Sequence, residues 1–188
     1  DALPAKPEKI AADPMLAVEA DLEQAGVCLR QSYRSPKDSP IALSNAQEAM
    51  NLAVAAAERF AVAGDKLNSF RAACVRGEAL MRLSYVKICN KDFKGTHETL
   101  TRPAVESLKT ARLMAAELSA LGISAQQGNS IPQQFSFSLQ MLLEQADRHK
   151  KELAGMLAEA TDPGEVTAVR TALETVMALD ADFAALRG

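Results

Sequence analysis

The tetrapeptide Thr161-Asp162-Pro163-Gly164 separates two long stretches whose apolar residues recur every three or four positions. Before it run Phe135, Leu139, Leu142, Ala146, His149, Leu153, Met156 and Ala160; after it run Val166, Val169, Leu173, Val176, Leu179, Phe183 and Leu186. Each set marks one narrow face of an α-helix. Asp162-Pro163-Gly164-Glu165 supplies an N-cap, proline at the first helical position and an acid at the third. Two helices joined by so short a link must run antiparallel. The expected fold is therefore all-α, an antiparallel bundle of about six helices closed by this hairpin.

Composition leans the same way. Aromatic residues make up 4% of the 188-residue chain and Trp is absent. Alanine is abundant, and it loses no side-chain entropy in a helix, whereas strands favour branched and aromatic residues. A hydrophobic fraction of 48% and a charged fraction of 24% are ordinary for a globular protein. No stretch reaches the roughly 20 apolar residues of a membrane span.

Residues 1–13, with Pro4 and Pro7, predict an extended arm. Asp13-Pro14 then opens a helix to about Tyr33, with Met15, Val18, Leu22, Ala25, Leu29 and Ser32 on one face. Ser35-Pro36 and Ser39-Pro40 read as a loop, and Ser44-x-x-Gln47 as the capping box of the second helix. Its Ala53–Ala57 run predicts close approach of a neighbour. Gly64-Asp65 separates this helix from a third over 66–91, whose wide apolar face predicts a central position. Thr101-Arg102-Pro103 restarts a fourth helix, which Gly122 ends. Polar residues 124–130 suit a boundary between a bundle over 14–122 and the hairpin over 131–188, both in one packed domain. No repeat of about 34 residues keeps its spacing, which sets a helical solenoid aside.

Reactive motifs are missing. Cys-x-x-Cys-His, Glu-x-x-His, Gly-x-Ser-x-Gly and phosphate-loop patterns do not occur, so no cofactor, metal site or catalytic residue is assigned. His149 falls on the apolar seam of the fifth helix and is the one candidate for holding a small apolar ligand or cofactor. Cys74 and Cys89 share a helix and stand roughly 22 Å apart at about 1.5 Å per residue, so they cannot bond to each other. Three buried thiols, or one disulfide from Cys28, remain open.

Charge carries more information. Residues 66–112 hold ten basic against four acidic side chains, and residues 152–188 hold seven acidic against two basic, beneath a net charge of −3. Either the basic middle packs beside the acidic hairpin, or a basic flank at Arg76, Lys87, Lys91 and Lys94 meets an acidic protein partner. Nucleic acid fits poorly with so few aromatics. The expected function is a non-enzymatic helical interaction module: an adaptor, chaperone-like or assembly factor. The His149-centred ligand bundle is the alternative, and a self-associating structural protein the third. Asp1-Ala2-Leu3-Pro4 reads as a mature N-terminus left by export to the periplasm or beyond, with the cytoplasm as the alternative.

Overall fold

The computed structural model describes residues 13–123 and 130–187. Of the N-terminal arm expected over 1–13 and the polar boundary expected over 124–130, residues 1–12 and 124–129 lie outside them. Six helices follow in order: α1 Pro14–Arg34, α2 Pro40–Ala63, α3 Lys66–Cys89, α4 Arg102–Ala120, α5 Ile131–Glu159 and α6 Pro163–Arg187. A single π turn, His97–Thr101, leads into α4, and there is no strand among the described residues. The all-α bundle and its C-terminal hairpin are as the sequence predicts.

The ends of the helices follow their caps. Asp13 accepts from the Met15 amide at 2.9 Å with Pro14 in the first turn. Ser130 and Gln133 form a reciprocal capping box on α5. Asp162 accepts from the Glu165 amide at 2.9 Å, fixing the start of α6. Gly64 ends α2 at φ 72, the left-handed conformation glycine adopts at least cost, and Asp65 at once caps α3.

Two starts differ from expectation. α2 begins at Pro40, not Ser44, because Ser39 accepts from the Ala42 amide at 3.1 Å and proline occupies the first helical position. The Ser-Pro pair that reads as a loop is a cap. Thr101 is not the N-cap of α4: it is already helical, and its hydroxyl makes no capping bond. The chain enters α4 through the π turn, in which the Arg102 amide donates to the His97 carbonyl. Pro103 has no N–H and its ring crowds the carbonyl four residues back, which widens the preceding turn.

α3 occupies the centre, packing against α1, α2, α4 and α5. It is buried around most of its circumference, from Phe70, Met81 and Leu83 to Val86 and Ile88. α2 meets its neighbours with an alanine on every turn, Ala42, Ala46, Ala49, Ala53 and Ala56, all essentially inaccessible. α4 approaches α3 equally closely at Gly77, where an added Cβ would stand 3.2 Å from the Ala104 carbonyl oxygen. The hairpin closes the other side, with Leu142, Leu179 and Phe183 in the main core.

All three thiols are free: Cys28 and Cys74 are buried and Cys89 is half-buried, so no disulfide from Cys28 forms.

Two glycine substitutions should separate packing from propensity. Gly77→Val, set against backbone, is expected to cost about 1–3 kcal/mol in urea unfolding. Gly155→Ala, with nothing within 4 Å of the new methyl, should raise stability by up to about 1 kcal/mol.

Candidate functional site

His149 lies on the α5 seam, wholly buried against α3. Its Nδ1 is 2.6 Å from the Gln145 carbonyl oxygen, which can only accept, so Nδ1 carries the proton. Nε2, 3.1 Å from the Ser84 hydroxyl, therefore accepts from it. The Tyr85 ring packs beside the imidazole with centroids 5.3 Å apart. Both ring nitrogens are engaged, which leaves neither for a ligand.

A serine donating to a histidine whose other nitrogen is pinned has the connectivity of a nucleophile–base pair. Two facts disarm it. Ser84 has no solvent-accessible surface, although it lies behind the wall of a groove at the end of α3. Burial, the leading cause, pulls the His149 pKa down to about 4, with the Arg82 charge acting the same way. A base so weak is poorly matched to neutral pH. The pair is a satisfied core contact between α3 and α5.

The four basic candidates go to different places. Lys87 pairs with Asp92 at 2.9 Å and Lys91 with Glu165 of α6 at 2.6 Å. Lys109 of α4 adds a second link to α6 through Asp182 at 2.9 Å. Arg112 donates to the Ala185 carbonyl. The basic middle thus docks on the acidic hairpin, although exposed pairs of this kind contribute little to stability. Lys94 forms no ion pair among the described residues. Arg76 lies apart, between α2, α3 and α4.

Lys91 and Lys94 come together on the rim of a groove of about 580 Å³ between the end of α3, the connection to α4 and α6. Its floor is apolar: Ile88, Phe93, Ala168, Ala172 and Val176. Thr171, Thr175 and His97 add polar groups at the edge. The local backbone explains this shape. Asn90 ends α3, its side chain donating to the Val86 carbonyl at 2.8 Å. The Asp92 amide then reaches back to the Lys87 carbonyl at 2.9 Å, with Lys91 held at φ 59 between them. This is the left-handed turn that usually takes glycine. The chain then folds over Phe93 and re-enters helix through the π turn.

His97 has a defined tautomer too. The Thr101 hydroxyl donates its one proton to the His97 carbonyl at 3.1 Å, so it accepts from Nδ1–H at 3.0 Å. Nε2 carries the lone pair. Desolvation lowers the His97 pKa, outweighing the opposite pull of Glu98, and the ring is a hydrogen-bond acceptor at neutral pH.

Sequence reading marked Lys91 and Lys94 but missed Phe93, His97, Thr171 and Thr175 as parts of one groove. The signal it had was Pro103, whose missing N–H distorts the turn carrying His97. Among the described residues no group of acidic, histidine and cysteine side chains has the arrangement of a metal site, and no helix is long and apolar enough to cross a membrane. No family model, curated protein or solved structure matches the chain, so its function must be read from its own geometry.

The His149 contact sets a pH dependence. The unfolded chain takes up this proton near pH 6.5 and the folded chain only near 4. The unfolded state therefore binds more protons between those values, and stability falls as pH drops through that window, by on the order of 3 kcal/mol. Urea unfolding from pH 7 to 4.5 should show this slope in the native chain and a shallower one in His149→Phe. Equal slopes would place the titration elsewhere.

Proposed function

We propose that this chain is a non-enzymatic helical interaction protein of the adaptor, chaperone-like or assembly-factor kind. In this reading the groove between the end of α3, the connection to α4 and α6 receives a segment of a protein partner. One observation carries it: the backbone is irregular where it frames the groove. Lys91 is the sole non-glycine residue with positive φ among those described, and His97–Thr101 the sole π turn. Both conformations cost stability, and both concentrate at functional sites. Here they hold Phe93, Lys94 and His97 around one opening.

The chemistry of the opening suits a peptide segment. Ile88, Phe93, Ala172 and Val176 take an apolar anchor. Lys94 takes an acidic side chain beside it, and His97 Nε2 accepts a hydrogen bond from a backbone N–H or hydroxyl. The non-enzymatic assignment is supported by the burial of the Ser84–His149 pair. The cofactor alternative is weakened because both His149 nitrogens are occupied.

A photo-reactive amino acid introduced at Lys94 in the producing cell should trap one discrete protein adduct. The same group at Val62, 91% exposed on α2 and outside the groove, should not. Thr171→Arg, placed at the groove edge, should reduce the Lys94 adduct by about tenfold or more. An adduct common to both positions, or indifferent to Thr171→Arg, contradicts the proposal.

A further inference from the structure

Arg76 is expected on a basic flank, yet it lines a second concavity, of about 380 Å³, an open groove between α2, α3 and α4 that shares no residue with the groove at α6. Its Nε is buried without a hydrogen-bond partner. Arginine cannot shed its proton to escape such a position, so a buried guanidinium N–H with no acceptor costs stability. The two carboxylates sharing the cavity do not relieve it. Glu106 is turned to Lys109 at 2.9 Å, and Glu58 of α2 forms no ion pair among the described residues. Ser69 and Ser107, both nearly buried, bring two further hydroxyls to the same walls, and neither hydroxyl forms a hydrogen bond among the described residues. Ala57, Ala61, Ala73, Pro103 and Met114 add apolar surface, and Thr110 lines the edge with its hydroxyl donating to the Glu106 carbonyl.

The lining of the cavity therefore combines a guanidinium group, two serine hydroxyls, a carboxylate with no ion pair among the described residues, and aliphatic surface. A planar fork matches a carboxylate in geometry as well as charge. Glu58 and Glu106 disfavour a multiply charged anion such as phosphate, and Glu58 is suited to an ammonium group. The small alanines leave the space that larger residues at those positions would fill.

We infer that this cavity binds a small aliphatic amino carboxylate, a free amino acid in its simplest form. The carboxylate lies on Arg76 with help from Ser69 and Ser107, the ammonium faces Glu58, and the side chain rests on the alanines and Met114. This site is independent of the partner groove and uses none of its residues.

The test is titration of the full chain, followed by amide NMR, with L-leucine, 4-methylpentanoate (the same acid without the amine) and 3-methylbutylamine (the amine without the acid). L-leucine should shift amides around Ser69, Arg76 and Ser107 at concentrations of about 10 mM or below. The acid alone should bind more weakly, and the amine alone should leave these signals still. Arg76→Gln should weaken L-leucine by about tenfold or more. Arg76→Lys, which keeps the charge and the fold but loses the fork, should weaken it as well. Glu58→Gln should weaken L-leucine while leaving 4-methylpentanoate unchanged. Absence of shifts with L-leucine, or shifts that persist in both Arg76 variants, overturns the inference.

Discussion

A single arginine, Arg82, ties the first half of this bundle to its central helix. It sits in the middle of α3, 3% exposed, with no carboxylate partner among the described residues. Its Nε donates to the Ser32 hydroxyl at 2.9 Å and a terminal nitrogen donates to the Ser32 carbonyl, one of the last in α1. Helix C-termini carry partial negative charge, and their final carbonyls lack intrahelical partners. The guanidinium therefore satisfies the end of α1 while that end stabilises the charge. Tyr33 and Tyr85 supply ring faces 4.7 and 5.5 Å from its central carbon. Ser32 passes the contact on, donating to the Ala42 carbonyl at 2.9 Å in the first turn of α2. Burial lowers the Arg82 pKa, yet arginine remains charged through the accessible range.

The same chain of polar contacts continues across the bundle. Tyr85 packs on His149, and His149 joins Ser84 of α3 to the backbone of α5. Ser32, Arg82, Ser84 and His149 thus form a buried polar strip linking α1, α2, α3 and α5 inside a mainly apolar core. Hydrogen-bonded polar groups in a low-dielectric interior fix one arrangement of helices where alanine and leucine contacts alone allow sliding. The strip also engages the Ser84 hydroxyl and both ring nitrogens of His149, while the buried amide of Gln145, one turn earlier on α5, has no partner among the described residues. What remains for recognition lies outward, in the groove framed by the end of α3 and in the cavity around Arg76.

Much of this architecture is legible in the sequence because helices announce themselves locally. The seams of α5 and α6, the Asp162-Pro163 start and the Gly64-Asp65 junction all follow from spacing and capping, and the buried residues match them closely. Ser39-Pro40 reads as a loop because its cap signal competes with another at Ser44, five residues later; the Ser39 cap on Ala42 and the seating of Ala42 against Ser32 decide between them. The π turn is subtler, since it follows from what Pro103 lacks. Arg82 looked like one more charge in a basic stretch, because periodicity shows which face is apolar but not which charged residue that face will swallow. The grooves were the least legible, being built from residues distant in sequence: Lys91 with Ala172, Arg76 with Glu58.

The most direct measure of the Arg82 clamp is a double-mutant cycle between Arg82→Met and Ser32→Ala, read by urea unfolding. A charged hydrogen bond buried between these two side chains predicts a coupling energy of about 1.5–3 kcal/mol, with Ser32→Ala costing far less once Arg82 is gone. Additive effects, with no coupling between the two positions, would contradict the clamp and return the cohesion of α1, α2 and α3 to aliphatic packing alone.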